Sequence, residues 1–331
     1  MENILKKQLA DRMVLGEMTI HKELAVVPLF WTEIGGPDYI TIKEALAGGG
    51  LTISEVSQDG SVPELKVINS SNGNVLMLDG EELAGAKQNR VLNTTILIAA
   101  GNSALIPVSC TEQGRWSYRS AHFEDSNVSM SPSMRSRKNA SVSYSLRESR
   151  SFRSDQGEVW ESIEGFHSNH RTSSGTGAMK DAYEARREEI NTYQDAFPCQ
   201  ENQCGMAVLI KGRVAGVEMV SRPAAYRQLH EKLLNSYAMD IPQSKPGKSP
   251  PVIAKLNKIL ERMMASEEQR FTSVGIGEDC RYTAYGLLGS GLLIEGWLVH
   301  LAFFRSAERQ RGTKPEERMA PLSRRRASRT V

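Results

Sequence analysis

Two short polar segments carry the residue types that could do chemistry. The first is Asp79-Gly80-Glu81-Glu82-Leu83-Ala84-Gly85-Ala86-Lys87-Gln88-Asn89-Arg90. Its glycines permit tight turns or close backbone approach to a ligand. Carboxylates lie between them, and Lys87, Gln88, Asn89 and Arg90 follow as four different hydrogen-bonding side chains in a row. A solvated turn does not need that variety, whereas a site for a polyhydroxyl or phosphorylated ligand does. Carboxylates accept from hydroxyls, amides both donate and accept, and guanidinium forks onto phosphate. The plainer alternative is a charged hairpin tip with surface ion pairs worth about 0–1 kcal/mol each.

The second segment is Ser109-Cys110-Thr111-Glu112-Gln113-Gly114-Arg115-Trp116. Cys110 invites a nucleophile reading, but a reactive thiol needs a base or a lowered pKa. The nearest histidine, His122, is distant in sequence. Cys110 therefore reads as a small packed residue at a strand end. Glu112 is the better acid or base, and Arg115 with Trp116 can clamp an anion and stack a ring. Trp116 as a partly buried anchor is the competing role. In a third stretch, Ser154-Asp155-Gln156-Gly157-Glu158-Val159-Trp160, Asp155 can cap a helix whose free N–H groups would suit an anion. Capping alone is its simpler role.

These segments need elements to position them. Glu23–Glu33 alternates as a strand, and Thr41–Ala47 reads as a helical turn capped by Thr41 and stopped by Gly48-Gly49-Gly50. Strand-like runs follow at Leu51–Val56, Glu64–Asn69, Val75–Leu78, Val91–Ala99 and Ala104–Val108. Asn72-Gly73 marks a hairpin between the second and third of these. Ser117–Ser154 then holds thirteen Ser, seven Lys/Arg and few large apolar residues, which reads as a mobile loop. Helical periodicity returns at Gln156–Phe166, Ala178–Tyr193, Pro223–Asp240 and Pro251–Ala265. A hairpin is predicted around Lys211-Gly212, a linker at Ile241–Pro251, and closing strands at Arg270–Val274, Arg281–Leu288 and Leu292–Phe304. Strand-rich and helix-rich stretches are segregated. The fold class is therefore α+β, with mixed, largely antiparallel sheets and helices gathered in the second half. The predicted organisation is an N-terminal lead over 1–18, one α+β domain over 19–304 with its mobile loop at about 117–154, and a basic disordered tail over 305–331.

Composition excludes several classes. Of 331 residues, 40% are hydrophobic and 24% charged, as in ordinary globular proteins. No apolar run approaches the roughly 18 residues of a transmembrane helix. The opening MENILKKQLADRM places charges within its apolar stretches, unlike a secretory signal. Net charge is +2, but Arg305–Val331 carries nine Lys/Arg against three Asp/Glu. With that +6 set aside, the remainder is about −4, so the basic balance is no nucleic-acid footprint. The four Cys lack finger spacing, and no metal is predicted. They read as reduced thiols of a cytoplasmic protein. Phosphate-loop, dinucleotide-fold, zinc-protease and nucleophile-elbow motifs are all absent, and no cofactor is identified.

At this point the segments themselves carry a resemblance. DGEELAGAKQNRVLNTT, IPVSCTEQGRW and SDQGEVW, with the later QCGMAVLIKGRVAGVEM and GEDCRYTAYGLLGSGLLIEGWLVHLAFF, resemble the bacterial and archaeal domain family named for its association with ADP-ribosylglycohydrolase and rhodanese-phosphatase proteins. The resemblance runs from about Ile20 to Phe304. It implies a ligand class of ADP-ribose, a related nucleotide or a modified protein, through genomic company with enzymes of ADP-ribose and NAD turnover. It transfers no catalytic residues. One departure is the basic tail, because the family form ends soon after a strand like Leu292–Phe304.

The leading expectation is thus a site for an ADP-ribose-like or other nucleotide-derived small molecule. Glu82 and Glu112 would be acid/base or ribose-contacting groups. Lys87, Arg90 and Arg115 would meet phosphate, Gln88 and Asn89 would orient the ligand, Trp116 would stack its base, and Asp155 would be a third contributor. The alternative is a non-catalytic module presenting the same face to a protein partner. Nucleic-acid binding is the weakest reading, because aromatics are not interleaved with the basic residues.

Overall fold

Alternation and capping in the sequence resolve into a mostly antiparallel α+β architecture. The computed structural model describes residues 4–57, 63–242 and 250–306. Helix α1 (Ile4–Arg12) leads into strands β1 (Met13–Leu15), β2 (Thr19–His21) and β3 (Leu24–Trp31). Strand β4 (Tyr39–Thr41) enters the short helix α2 (Ile42–Ala47), followed by β5 (Leu51–Glu55), β6 (Glu64–Asn69) and β7 (Asn74–Met77). Next come β8 (Glu81–Gly85), β9 (Arg90–Leu92), β10 (Ile96–Ile98), β11 (Ser103–Cys110) and β12 (Phe123–Ser129). Helices α3 (Pro132–Ser149), α4 (Gln156–His170), α5 (Met179–Ala185) and α6 (Arg187–Ala196) precede the hairpin β13 (Gly205–Ile210) and β14 (Arg213–Val220). Helices α7 (Pro223–Ala238) and α8 (Ile253–Met264) come before the meander β15 (Glu267–Thr272), β16 (Glu278–Ala284), β17 (Leu287–Ile294) and β18 (Trp297–Arg305).

The strands form three sheets. A nine-stranded sheet runs β1-β3-β13-β14-β18-β17-β16-β15, with β2 also paired to β3. Helices α1 and α8 cover one face through Leu5, Leu9, Leu256, Leu260 and Met263. Helix α7 covers the other through Tyr226, Leu229, Leu233 and Tyr237. A six-stranded sheet runs β12-β8-β9-β11-β6-β5. Its edge strands β12 and β5 approach one another, and α2 packs on both, so the sheet curls around its own core. That core contains Ile53, Leu65, Leu83, Leu92, Ile106, Val108 and Phe123. A small third sheet, β10-β7-β4, contains the parallel pair β4–β7.

Local chemistry explains where these elements start and turn. The predicted cap at Thr41 is present as a reciprocal box: Glu44 N donates to Thr41 Oγ1 at 3.3 Å, and Thr41 N donates to Glu44 Oε2 at 2.9 Å. The predicted Asn72-Gly73 hairpin is not. Strand β6 pairs with β5 and β11, while β7 pairs with β4 and β10. Buried Asn69 redirects the chain there, its Nδ2 donating to Gly73 O at 2.9 Å, Ala99 O at 3.0 Å and Ile98 O at 3.2 Å. The single strand predicted over Val91–Ala99 also divides, because Asn93, Thr94 and Thr95 direct their side chains into polar partners. Thr95 Oγ1 accepts from Asp79 N at 3.0 Å and meets His300 Nδ1 at 2.8 Å.

The largest correction concerns Ser117–Ser154. The expected mobile loop contains β12 and the eighteen-residue helix α3. Within the 1–18 lead, α1 is followed by β1, which pairs with β3. Most of the linker and nearly all of the basic tail lie outside the described residues. Helix α3 escapes an apolar-periodicity search because its buried face includes Arg135, Lys138 and Asn139 at i, i+3 and i+4. Arg135 donates to Glu218 through two nitrogens, at 2.7 and 2.9 Å, and its Nε lies 3.5 Å from Asp79. Lys138 binds Asp79 and donates to Leu92 O at 2.8 Å and Asn93 O at 3.1 Å. Asn139 Nδ2 donates to Asp79 Oδ2 at 3.0 Å. Burial pushes the Lys138 amine down to about 8, with Asp79 opposing the fall. Burial pushes the Glu218 carboxyl up, but Arg135 and His300 more than offset it and hold it below the usual range. Gly80, at φ +87°, is required here, because a Cβ would come within 2.6 Å of the Arg135 side chain.

Removing one member of such a pair leaves an uncompensated buried charge. Arg135→Met is therefore expected to lose about 3–5 kcal/mol of stability, whereas replacing both partners with apolar residues is often close to neutral. Urea unfolding should show Arg135→Met/Glu218→Leu recovering most of the loss. A double variant no more stable than the single would refute this account.

Candidate functional site

The period-two geometry of the curled sheet decides which polar groups can meet. Leu83 pairs with Arg90, and Arg90 pairs with Cys110, so these side chains share the inner face. Glu82 pairs with Val91, and Val91 with Ser109, on the outer face. Glu82 and Arg90 are therefore on opposite sides of the sheet. Strand β5 sends Leu51, Ile53 and Glu55 inward at alternate positions, and the first two join the apolar core. Glu55 lies at the end of this strand beside Arg90.

At this end, the mouth of the curled sheet, Arg90 is wholly buried. Its Nη1 donates to Gln88 Oε1 at 2.7 Å and to the Cys110 sulfur. Its Nη2 lies 3.7 Å from Glu55 Oε1, an ion pair too long for a hydrogen bond. Arg90 Nε and Nη2, and both Glu55 carboxylate oxygens, have no hydrogen-bond partner among the described residues. Trp116 is 49% exposed. Its ring centroid lies 5.6 Å from the Arg90 guanidinium carbon and 5.3 Å from Lys87 Nζ. Lys87 Nζ is also 5.2 Å from the centroid of Tyr118, a half-exposed ring. The mouth thus offers donors, acceptors and an aromatic face together.

The turn that carries Lys87 is held from below. Ala86 has φ +37°, an uncommon conformation for a residue with a Cβ. Arg115 fixes it, with Nη1 donating to Ala86 O at 2.7 Å and Ser117 O at 2.8 Å, and Nη2 to Gly85 O at 3.3 Å and Asn89 Oδ1 at 3.2 Å. Glu112 meets Arg115 at 2.7 Å, accepts from Thr176 Oγ1 at 2.8 Å, and accepts from Asn89 N at 3.3 Å. Burial raises the Glu112 pKa, but the hydrogen bonds from Arg115 and Thr176, with the Arg115 charge, outweigh it and keep the carboxylate ionised. Glu112, Arg115 and Asn89 thus brace the turn.

Asp155 caps α4, accepting from Gly157 N at 2.8 Å and Glu158 N at 3.1 Å. Gln156 beside it clamps Cys110: Cys110 N donates to Gln156 Oε1 at 2.8 Å, and Gln156 Nε2 donates to Cys110 O at 3.0 Å. Burial pushes the Cys110 thiol up to about 11, against the pull of Arg90, so it is not a thiolate at neutral pH. Glu55 and Gln156 were missed by the sequence reading. The alternation Leu51, Ile53, Glu55 could have revealed the first, while nothing local distinguishes Gln156 from a surface glutamine. Among the described residues, no cluster of three or more His, Cys, Asp or Glu could hold a metal. Among the described residues, no helix is long and apolar enough to cross a membrane.

The curled six-stranded sheet and the nine-stranded antiparallel sheet, with their helices, define an α+β protein. The model of the ARG and Rhodanese-Phosphatase-superfamily-associated Protein domain matches residues 12–304, and the chain belongs to that family. No curated protein and no solved structure matches it.

Glu82 remains on the outer face, accepting from Thr111 Oγ1 at 2.6 Å. Burial raises its pKa from 4.5 to about 7, only partly opposed by the Thr111 and Ser126 hydroxyls and the Lys180 charge. Between those two values the folded state keeps a proton that the unfolded state has released. The Glu82 contribution to stability is therefore fully present below 4.5 and is lost as pH rises toward 7. At about 1.4 kcal/mol for each pH unit, the loss is about 3 kcal/mol. Glu82→Gln removes this titration, so it should gain on the wild type by about that amount between pH 4.5 and 8 in urea unfolding. A difference that stays constant across the range would sink the assignment.

Proposed function

We propose that the chain binds an ADP-ribose-like or other nucleotide-derived ligand at the mouth of the curled sheet. The observation that carries the reading is the unengaged hydrogen-bonding capacity of buried Arg90 and Glu55 beneath Trp116. Buried donors and acceptors without partners are costly, about 1–3 kcal/mol each. A ligand bearing hydroxyls and phosphate would relieve that cost. In this reading Glu55 accepts from ribose hydroxyls, Arg90 and Lys87 donate to phosphate, and Trp116 stacks the base. Gln88 holds Arg90 in place, while Asn89, Glu112, Arg115 and Asp155 hold the surrounding turns. Glu82 lies across the sheet from this mouth and takes no part in the binding.

Membership in a family whose name associates it with ADP-ribose-processing proteins agrees with this ligand class, as association only. The interaction-module alternative asks for Glu82, Arg90 and Arg115 on an open surface. Their burial favours the small-molecule reading.

The test is calorimetric titration and thermal melting of the full chain with ADP-ribose, NAD and AMP. At about 100 times its dissociation constant, a ligand should add about 2.7 kcal/mol of stability. Base stacking on an aromatic side chain is worth about 1–3 kcal/mol, so Trp116→Ala should weaken binding roughly 5- to 150-fold. A melting temperature unmoved by all three compounds, or a Trp116→Ala variant that binds like the wild type, would overturn the proposal.

A further inference from the structure

A separate cleft of about 440 Å³ opens between the start of α3, the end of α4 and the end of α7. That volume falls within the range of small-molecule pockets, roughly 300–1,000 Å³. Its apolar lining includes Met134, Phe166, Met239 and Ile241, and its polar lining includes Arg137, Asp240 and His170.

The charges in this lining are of different kinds. Asp240 is turned to the amino end of α3, where Ser133 N donates to it at 2.8 Å and Ser133 Oγ at 2.6 Å. Burial pushes the Asp240 pKa up, opposed by these hydrogen bonds and by the Arg137 charge. His170 is pinned by Arg186 and packs edge-on against Phe166, with ring centroids 4.6 Å apart. Burial and the Arg186 charge push the His170 pKa down to about 4, so it is neutral at physiological pH. Arg137 is exposed and makes no salt bridge among the described residues, although its charge also acts on Asp240. With His170 neutral, it is the charged cation of the lining.

We propose that this cleft is a second small-molecule site, taking a flat apolar molecule that carries a single carboxylate or phosphate. The apolar body would lie among Met134, Phe166, Met239 and Ile241, and the anion would meet Arg137. The inference does not rest on the nucleotide reading of the sheet mouth. The two sites lie at opposite ends of α4, whose first residue, Gln156, clamps Cys110 and whose last turn borders the cleft.

Gly165 supplies a clean test. It lines the cleft within α4, and a Cβ placed there would meet no atom within 4 Å. Gly165→Leu should raise helix propensity while filling the space. The probe is 1-anilinonaphthalene-8-sulfonate, an aromatic anion with a flat naphthalene body, titrated into the full chain and followed by its fluorescence. The wild type should bind one equivalent saturably. Gly165→Leu should weaken binding at least tenfold without lowering the melting temperature, and Arg137→Met should weaken it about tenfold. Trp116→Ala should leave it unchanged. Benzoate and phenyl phosphate, tested in separate competitions, identify the preferred anion, and neutral benzyl alcohol should not compete. The proposal fails if the dye does not saturate at one equivalent, if Gly165→Leu binds it like the wild type, or if Trp116→Ala removes the binding instead. It also fails if neither anion displaces the dye, or if benzyl alcohol displaces it as well as they do.

Discussion

The tie of Arg135 to Glu218, with Asp79 beside it, constrains the rest of the architecture. Glu218 sits on β14 in the nine-stranded sheet, Asp79 precedes β8 of the curled sheet, and Arg135 belongs to the helix between them. Three layers are therefore joined at a place where no water can substitute for a missing partner. Charges removed from water are tolerated only with close partners. That requirement fixes the rotation of α3 about its axis more sharply than apolar packing alone would. Lys138 and Asn139 add directional bonds to Asp79 from the same helical face. A helix turned by one residue would leave these groups unmatched.

From this anchor the geometry passes to the site. Helix α3 ends at Ser149, and the chain returns as α4, whose capping residue Asp155 is held through its N–H by Ser141 Oγ of α3 at 3.1 Å. Gln156 is thereby placed to extend β11 through its side-chain amide and grip the Cys110 backbone. Arg90 pairs with Cys110 across the sheet. The orientation of the guanidinium at the mouth is thus set by a chain of bonds that begins in the buried ionic core. Glu112, Arg115 and Asn89 stabilise the neighbouring turn independently, which lets Ala86 keep a backbone angle it would otherwise avoid.

What the sequence made legible follows from which interactions are local. The Thr41 box, the Asp155 cap and the closing strands each have their signal within a few residues. The strand boundaries there were less visible. Glu295 and Gly296, at φ +50° and +80°, turn the chain where one continuous strand over Leu292–Phe304 was expected. Helix α3 was illegible because its partners, Glu218 and Asp79, are distant in sequence and its buried face is charged. The Asn72-Gly73 turn misled because Asn69 captures carbonyls from a strand nearly thirty residues away. Of the two polar segments, their mutual proximity was legible. Their division between two sheet faces depended on register, which one residue of slip inverts.

That division separates the polar groups by how fully they are engaged. Glu112, Arg115 and Asp155 have partners for their charges, with Arg115 Nε alone unmatched, so their contribution is to shape. The Arg90 and Glu55 side chains are as deeply placed yet retain unmatched donors and acceptors that lie 3.7 Å apart at their closest. Folding would ordinarily select against such a pair, since an apolar pair of similar size avoids the cost. On the proposed reading, the pair's placement near a half-exposed tryptophan would give the cost a use: the unmatched groups are those that a hydroxylated, anionic ligand could match. Groups pre-positioned in this way would need little reorganisation on binding such a ligand, because their ordering cost is met during folding.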